Sequence, residues 1–147
     1  MVEGIVNSPV TSTDLLHTII RTLNGSNFAA TVGDFYRGEV AVLNVIHLFE
    51  DQHKEVFPSM ISSFLHISRP TVTSALRTLE HKKLIKRRLF EEDRRMISVS
   101  LTQGGKDVVK KKREEIDSWS TSMANHFGNE NFMSLLHSIK ELLEYME

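Results

Sequence analysis

The chain has 147 residues, of which 40% are hydrophobic and 25% are charged, enough for one full hydrophobic core and too few for two large ones. The lack of cysteine excludes disulfides, thiolate metal sites, cysteine nucleophiles and cysteine-based redox sensing. Its 18 Lys and Arg against 19 Asp and Glu give a formal net charge of -1, a total that by itself speaks against a polyanionic partner.

The N-terminal region predicts neither a secretory signal nor a membrane span. No Lys or Arg precedes Arg21, so the basic segment that opens a signal peptide is missing. The longest uncharged apolar stretch, residues 40–49, is well short of the roughly 18 residues that a membrane-spanning helix needs. We therefore expect a cytoplasmic protein with no membrane partner.

Three helices are predicted in the first half of the chain. Over residues 11–23 the apolar residues recur at three- and four-residue steps, and an Asn-Gly pair follows as a stop signal. Residues 39–49 are apolar around most of the helix circumference, as expected of a central buried helix. A short helix over residues 58–65 opens at a proline, whose missing N–H suits the first turn.

A fourth helix is expected to begin after Ser68, whose hydroxyl suits an N-cap, and to end near Lys83. One stripe of this helix follows the i, i+3, i+4, i+7 spacing of a buried face: Val72, Ala75, Leu76 and Leu79. The opposite face carries short polar and basic side chains: Pro70, Thr73, Ser74, Arg77, Thr78 and His81. Such a face suits a helix that lies in the major groove of DNA.

A β-hairpin with a basic tip is predicted next, from residues 84–90 and 96–101 joined by the charged turn 91–95. In the second strand, Ile97, Val99 and Leu101 alternate with serines, the period of a half-buried strand. Residues 86–88 are all basic, but alternation means that they cannot all face one partner. Long helices over residues 103–126 and 130–145 complete a fold that is mainly α with a small hairpin.

The net charge separates into three blocks along the chain. Residues 1–68 carry -4, residues 114–147 carry -6, and residues 69–113 carry +9 from 14 basic and 5 acidic side chains. A cationic third within an otherwise acidic chain is typical of a nucleic-acid-binding surface. A solvated basic face without a partner is the alternative.

The order helix, short helix, helix, hairpin is that of a winged helix-turn-helix. The motifs in residues 57–106 together resemble the multiple antibiotic resistance regulator (MarR) family of transcription factors: Ile67-Ser68-Arg69-Pro70-Thr71-Val72-Thr73, Leu79-Glu80, Lys83-Leu84-Ile85-Lys86-Arg87, Asp93-Arg94-Arg95 and Ser100-Leu101-Thr102-Gln103-Gly104-Gly105. The resemblance implies a DNA-binding lobe over residues 37–102 and a helical dimerisation region over residues 1–36 and 103–147. It also implies a homodimeric, sequence-specific transcriptional regulator, a repressor, on pseudo-palindromic double-stranded DNA.

The resemblance places the DNA contacts on the fourth helix and the wing: Ser68, Arg69, Pro70, Thr71, Thr73, Ser74, Arg77, Arg87, Asp93, Arg94 and Arg95. Arg77 sits mid-face, where its fork could bind a guanine edge or a phosphate. The Asp-x-Arg pattern of the family falls on Asp93 and Arg95, so that Arg95 would enter the minor groove and Asp93 would orient it. Ordinary solvent-facing side chains are the alternative reading of each position.

Two positions depart from the family pattern. Phe57 stands where a threonine N-cap is usual, which removes a side-chain cap worth about 1 kcal/mol. His66 stands where glycine is usual, and a left-handed conformation there costs roughly 1 kcal/mol for a residue with a Cβ.

The family resemblance further implies a small, often anionic or aromatic, effector that binds between the dimerisation helices and the DNA-binding lobe and releases the DNA. Seven histidines leave open a metal-responsive regulator of the same fold, but they show no HExxH or i, i+4 pairing, and we predict neither a metal site nor a cofactor. A winged helix that serves protein contacts alone is a further alternative, which the excess positive charge disfavours. No glycine-rich phosphate loop or nucleophile elbow indicates an enzyme.

Overall fold

The elements follow the order predicted from the sequence. The computed structural model describes residues 10–25, 33, 35 and 37–146. Within them lie α1 (Ser12–Gly25), α2 (Gly38–Asp51), α3 (Pro58–Leu65), α4 (Arg69–His81), β1 (Ile85–Leu89), β2 (Ile97–Leu101), α5 (Gln103–Phe127) and α6 (Asn129–Tyr145). The mainly α fold with a hairpin wing is thereby confirmed. Residues 1–9 and most of residues 26–36, which the sequence assigns to the dimerisation region, lie outside the described residues.

The hydrophobic core is centred on α2, which is buried on most sides over residues 41–46. The sequence predicts this because apolar residues surround the helix. Around α2 pack the apolar stripe of α4, Ile61 of α3, the strand residues Ile85 and Val99, and Val109 of α5. The core therefore joins the helix-turn-helix, the hairpin and the beginning of α5 into one body.

The turn between α3 and α4 is closed by a left-handed residue and a hydroxyl clamp. His66 adopts φ 52° and ψ 40°, the conformation for which the glycine of the family pattern is suited. The Ile67 amide donates to the Ser62 carbonyl at 3.2 Å, and the Ser62 hydroxyl donates to the Ile67 carbonyl at 2.7 Å. These two hydrogen bonds fix the angle between α3 and α4, even though the turn has a histidine where the family pattern has glycine.

The hairpin pairs β1 with β2 antiparallel, with Ile85 opposite Leu101 and Leu89 opposite Ile97. Val99 and Leu101 are buried, as the alternation predicts, but Ile97 is 44% exposed and Ser98 is 1% exposed. The interpretation of Ile97 as an inward-facing residue was therefore wrong. Ile97 and its partner Leu89 lie beyond the edge of the core. The polar Ser98, by contrast, lies beneath the side chains of Glu55 and Arg88.

The start of α5 is fixed against the start of β1. Thr102 caps the helix by accepting a bond from the Gly105 amide at 3.1 Å, and its hydroxyl donates to the Lys83 carbonyl at 2.8 Å. The Thr102 amide donates to the Leu84 carbonyl at 3.0 Å. A Cβ at Gly105 would overlap the Leu84 carbonyl oxygen, so only glycine permits this approach.

Helices α1 and α6 expose large apolar side chains. In α1 none of the residues is buried, and Leu15, Leu16, Ile19 and Ile20 are each about half exposed. In α6 only Phe132 is buried, in contact with Trp119 of α5 at a ring-centroid distance of 6.2 Å. Within the described part of the chain, no helix combines the length and apolar character needed to cross a bilayer.

Candidate nucleic-acid interface

The N-terminal turn of α4 is built by Ser68. Its backbone is extended, and its hydroxyl accepts a bond from the Thr71 amide at 3.3 Å, which confirms the predicted N-cap. The hydroxyls of Ser68 and Thr71 lie 2.7 Å apart in a further hydrogen bond. Pro70 occupies the first turn, where its missing N–H costs nothing. The helix therefore begins with small, ordered polar groups on the surface.

One face of α4 is fully exposed, while Val72, Leu76 and Leu79 are buried on the other. All seven positions predicted on this helix lie on the exposed side: Ser68, Arg69, Pro70, Thr71, Thr73, Ser74 and Arg77. The Thr73 hydroxyl donates to the Arg69 carbonyl at 3.0 Å, so its remaining lone pairs point outward as acceptors. The face offers hydroxyl groups and two guanidinium groups to a partner.

The wing tip is a tight turn organised by Asp93. The Asp93 carboxylate accepts a hydrogen bond from the Arg95 amide at 3.0 Å, and the Asp93 carbonyl accepts one from the Met96 amide at 2.9 Å. Arg94 and Arg95 are both exposed. Asp93 therefore shapes the backbone that carries the arginines, which gives the Asp-x-Arg pattern a local structural reason.

Arg87 is placed differently from the other ten predicted residues. It lies opposite the buried Val99 in the hairpin, and its side chain is 26% exposed with Nε 3.2 Å from a carboxylate oxygen of Glu80 on α4. This is an ion-pair distance, although the N–H is not aligned as a hydrogen bond. Arg87 thus connects the wing to α4 within the lobe and does not share the exposed surface.

Seven basic residues of α4, the hairpin and the chain between them differ in whether they form an ion pair. Lys82, Arg87 and Arg88 form ion pairs with Glu39, Glu80 and Glu55 respectively. Among the described residues, no ion pair involves Arg69, Arg77, Arg94 or Arg95. These four guanidinium groups lie on α4 and on the wing tip, where an anionic partner would meet them.

Three consecutive residues, 55–57, hold the hairpin, and the sequence singled out only Phe57, for its missing cap and not for a contact with the wing. The Glu55 carboxylate binds Arg88, the Val56 carbonyl accepts a hydrogen bond from the Val99 amide at 2.9 Å, and the Phe57 ring packs edge-on against Phe90 at 5.2 Å. The Phe57 side chain makes no cap bond to α3, as predicted. The departure from threonine is explained by this aromatic contact with the wing.

Hydrogen bonding also shifts the pKa values of Glu55 and Arg88, which attach the hairpin to the lobe. The Ser98 hydroxyl and the Arg88 guanidinium hold the pKa of the Glu55 carboxyl below its ordinary value. The same carboxylate raises the pKa of Arg88. Both groups are therefore charged at neutral pH, and the buried Ser98 lies beneath them.

Comparison with known proteins identifies the fold and the family. The family model described as Transcriptional regulator SarA/Rot matches residues 34–113. A single-residue variant of MepR from Staphylococcus aureus superposes with a TM-score of 0.72 at 20% identity, covering 93% of this chain and 99% of that chain. FabT from Streptococcus pneumoniae, solved in complex with DNA, gives a TM-score of 0.71 at 18% identity, covering 92% of this chain and 97% of that chain.

MepR, described as a transcription regulator of the Staphylococcus aureus multidrug efflux pump MepA, also matches without that substitution, with a TM-score of 0.67 at 21% identity and coverage of 93% and 99%. A search of curated proteins by sequence finds no match to this chain. MepR and FabT are MarR-family regulators, so the fold is the one that the MarR resemblance implies. The family and the structural matches are transcription regulators and not enzymes. Because the family model covers α2 to α4, the hairpin and the first part of α5, more than half of the chain, the protein belongs to the SarA/Rot family of transcriptional regulators.

Proposed function

We propose that the chain regulates transcription by binding double-stranded DNA sequence-specifically, with α4 in the major groove and the wing in the adjacent minor groove. The observation that carries this proposal is the exposed face of α4 and the exposed wing tip, which together present four unpaired arginines on one lobe. Two structural relatives support it, since FabT was solved in complex with DNA and a MepR variant was solved bound to an oligodeoxyribonucleotide.

The two parts of the interface have separate roles. On α4, Arg77 reads a guanine edge, while Ser68, Arg69 and Thr71 bind phosphates at the helix N-terminus. Thr73, Ser74 and Pro70 line the same face and contact base edges or sugars. On the wing, Arg95 enters the minor groove and Arg94 contacts the backbone, with Asp93 shaping the turn. Arg87 supports the wing from inside through Glu80.

The DNA contacts are tested by substituting one guanidinium at a time. We expect Arg77→Ala and Arg95→Ala to weaken binding to a selected operator by about 5- to 150-fold and to relax specificity, as for base contacts. Arg69→Ala should weaken all duplexes alike and reduce the salt slope by about 1. Arg113→Ala, which removes an exposed arginine of α5, is the matched control. Unchanged affinity in both Arg77→Ala and Arg95→Ala would refute the site assignment.

The apolar faces of α1 and α6 support a homodimer with a helical dimerisation region over residues 1–36 and 103–147 and a DNA-binding lobe over residues 37–102. In α6, Leu135, Ile139, Leu142 and Leu143 are 40–60% exposed. A run of large apolar residues in water is unfavourable and marks an interface. Dimerisation would place two copies of α4 in successive major grooves, about 34 Å apart.

Sedimentation at micromolar concentration tests the dimer. We expect the unaltered chain to sediment as a dimer and Ile139→Asp to sediment as a monomer with weakened operator binding. The matched control is Ser138→Asp, at the adjacent position of α6, where the serine hydroxyl donates to the Ser134 carbonyl. A monomeric unaltered chain would contradict this part of the proposal.

A small-molecule effector that releases the DNA is the third part of the proposal and makes the protein a repressor. A cleft of about 550 Å³ lies between α2 and α5, where the lobe meets the dimerisation region, and is lined by His47, Gln103, Lys106, Asp107, Lys110, Arg113, Glu114 and Asp117. MepR bound to ethidium bromide is a structural relative. Three cations and three carboxylates line this cleft, so it can pair with either sign of charge, and the anionic or aromatic character of the effector is taken from the family resemblance. A thermal-shift screen with phenolic acids, repeated with Lys110→Gln, tests this prediction, and no shift with any of them would count against it.

The two alternatives can be separated from this proposal by the same measurements. Among the described residues, no three histidine, aspartate or glutamate side chains gather as a metal site requires, so no observation favours a metal-responsive regulator. A winged helix that serves protein contacts alone would show no selected DNA sequence and no salt-dependent binding to a duplex.

A further inference from the structure

The Glu55 carboxylate lies where the hairpin is fastened to the rest of the lobe. We propose that Glu55 is a positioning residue for DNA recognition, because its carboxylate holds Arg88 and thereby sets the direction in which the wing presents Arg94 and Arg95. This inference rests on the proposed DNA-binding function and adds to it a residue outside the predicted interface.

The contact is bidentate. Arg88 Nη2 lies 2.7 Å from Glu55 Oε1 and 2.9 Å from Oε2, and Arg88 Nε lies 3.2 Å from Oε1. Arg88 Nε also lies 3.3 Å from the Ser98 hydroxyl on the opposite strand. Forked pairs of this kind fix the angle between two groups as well as their distance. Glu55 therefore binds β1 at one point, directly through Arg88, and Arg88 in turn contacts Ser98 on β2.

That point is the end of the supported part of the hairpin. Arg88 faces Ser98, and only the pair formed by Leu89 and Ile97 follows it before the tip. The side chains of that last pair are 60% and 44% exposed, so the core does not hold them. Beyond Arg88, the Phe57 ring packs against Phe90, and a backbone hydrogen bond from the Phe90 amide to the Met96 carbonyl joins the two strands.

Because the tip lies some distance beyond the Arg88–Ser98 pair, a small change of angle at that pair displaces the tip. The tip lies about three residues beyond the Arg88–Ser98 pair, which is ~10 Å along a strand. A pivot of about 10° at the pair would displace the tip by ~2 Å, more than the tolerance of a hydrogen bond to DNA. Losing the Glu55 contact should therefore impair the minor-groove contacts of Arg95 without removing any DNA-contacting group.

Neutralising Glu55 distinguishes a role in positioning the wing from a simple charge effect, because the two change the affinity for the selected duplex in opposite directions. Glu55 is a negative charge on the cationic lobe, so neutralising it without any change of geometry should strengthen binding to every duplex. If Glu55 positions the wing, the same substitution should weaken binding to the selected site and leave non-specific binding equal or tighter. The ratio of specific to non-specific affinity therefore isolates positioning from charge.

The experiment compares Glu55→Gln with Glu92→Gln, which removes the same charge from the exposed wing tip. Both are measured on the full chain with an operator selected by the unaltered protein from a random duplex pool and with a scrambled duplex. We expect Glu55→Gln to lower the ratio of specific to non-specific affinity by about 5- to 30-fold, and Glu92→Gln to leave the ratio within about threefold of the unaltered value. The charge-swapped variant, Glu55→Arg with Arg88→Glu, should recover most of the loss because the pair is restored in reverse.

Two results would overturn the inference. The first is a Glu55→Gln variant whose ratio matches that of Glu92→Gln. The second is an equal loss of affinity by Glu55→Gln for the selected and the scrambled duplex, together with a lowered melting temperature, because a smaller fraction of folded protein lowers both affinities alike and leaves their ratio unchanged. Arg95→Ala distinguishes these outcomes from failure of the proposed function: if its operator affinity is unchanged, the wing does not read DNA, whereas a weakened Arg95→Ala beside an unaffected Glu55→Gln refutes only the positioning role.

Discussion

Substituting Gly105 by alanine tests whether the close approach between α5 and β1 stabilises the fold. An alanine methyl would overlap the Leu84 carbonyl oxygen and lie 3.2 Å from Leu101 Cδ2. Because comfortable carbon contacts begin near 3.5 Å, the helix start must move by about 1 Å. Such a shift breaks the bonds that Thr102 makes with the Gly105 amide and the Lys83 carbonyl.

The expected loss of folding free energy is the sum of the following contributions. Losing the Thr102 cap costs about 1 kcal/mol, and losing its bond to Lys83 costs about 1 kcal/mol more. Overpacking at the junction adds about 1–3 kcal/mol, while the better helix propensity of alanine returns up to about 1 kcal/mol. We therefore expect Gly105→Ala to lower the free energy of unfolding by about 2–5 kcal/mol, or the melting temperature by roughly 5–20 °C.

The neighbouring glycine provides the control. A Cβ at Gly104 meets Leu84 Cδ2 at 3.5 Å and Thr102 Oγ1 at 3.6 Å, which are ordinary contacts, so Gly104→Ala should leave stability unchanged or raise it by up to about 1 kcal/mol. Urea unfolding followed by circular dichroism, at equal protomer concentration, measures both variants. A Gly105→Ala variant within about 0.5 kcal/mol of Gly104→Ala would refute the reasoning, since surface changes alone produce differences of that size.

Three further predictions concern single groups of the lobe. His66→Gly should raise the melting temperature, because relieving the left-handed conformation at φ 52° returns about 1 kcal/mol, part of which the greater freedom of glycine in the unfolded chain offsets; an unchanged or lower midpoint in a thermal melt would contradict it. Ser68→Ala should cost about 1 kcal/mol through the lost α4 cap, and urea unfolding beside Ser68→Asn, which retains a cap, checks this. Because the folded pKa of Glu55 is lowered, its stabilising effect is complete above the ordinary glutamate pKa of about 4.3 and is lost as the pH falls through the folded value; the unfolding midpoints of the unaltered chain and Glu55→Gln should therefore differ at pH 7 and converge as the pH falls below the folded pKa of Glu55, and a difference that stays constant on acidification would argue against the contact.

Sequence periodicity predicted the helices and the wing because most of the helices carry an apolar stripe, α2 is apolar around most of its circumference, and the second strand alternates. Ser68 was correctly predicted as a cap, since capping depends on the local chain alone. Ile97 was misread because alternation states which residues share a face but not how far along the strand the core extends. That limit is set by residues 55–57, whose contact with the hairpin is made through tertiary structure.

The exposed positions of the candidate interface were predictable from the sequence, but the ion-pair partners of its basic residues were not. The exposed positions on α4 follow from helix periodicity, and the tip arginines follow from the Asp-x-Arg pattern. Alternation excluded a common face for the three basic residues of β1, but it could not say which of them would be paired. Glu80 pairs with Arg87 and Glu55 pairs with Arg88; Glu55 lies outside every motif, and the Leu79-Glu80 motif does not indicate which basic residue Glu80 contacts. Charge counted along the sequence therefore overestimates the positive charge that the surface presents.

The continuity of α5 limits how this protein can change over evolutionary time. Its 25 residues form a rod of about 37 Å that begins at the junction with β1 and ends beside α6. Each residue inserted into or deleted from α5 before Trp119 would rotate the rest of α5, together with α6, by about 100° relative to the junction with β1. Substitutions along this rod can therefore adjust how the lobe is set against α6 more gradually than a change in the length of the rod can.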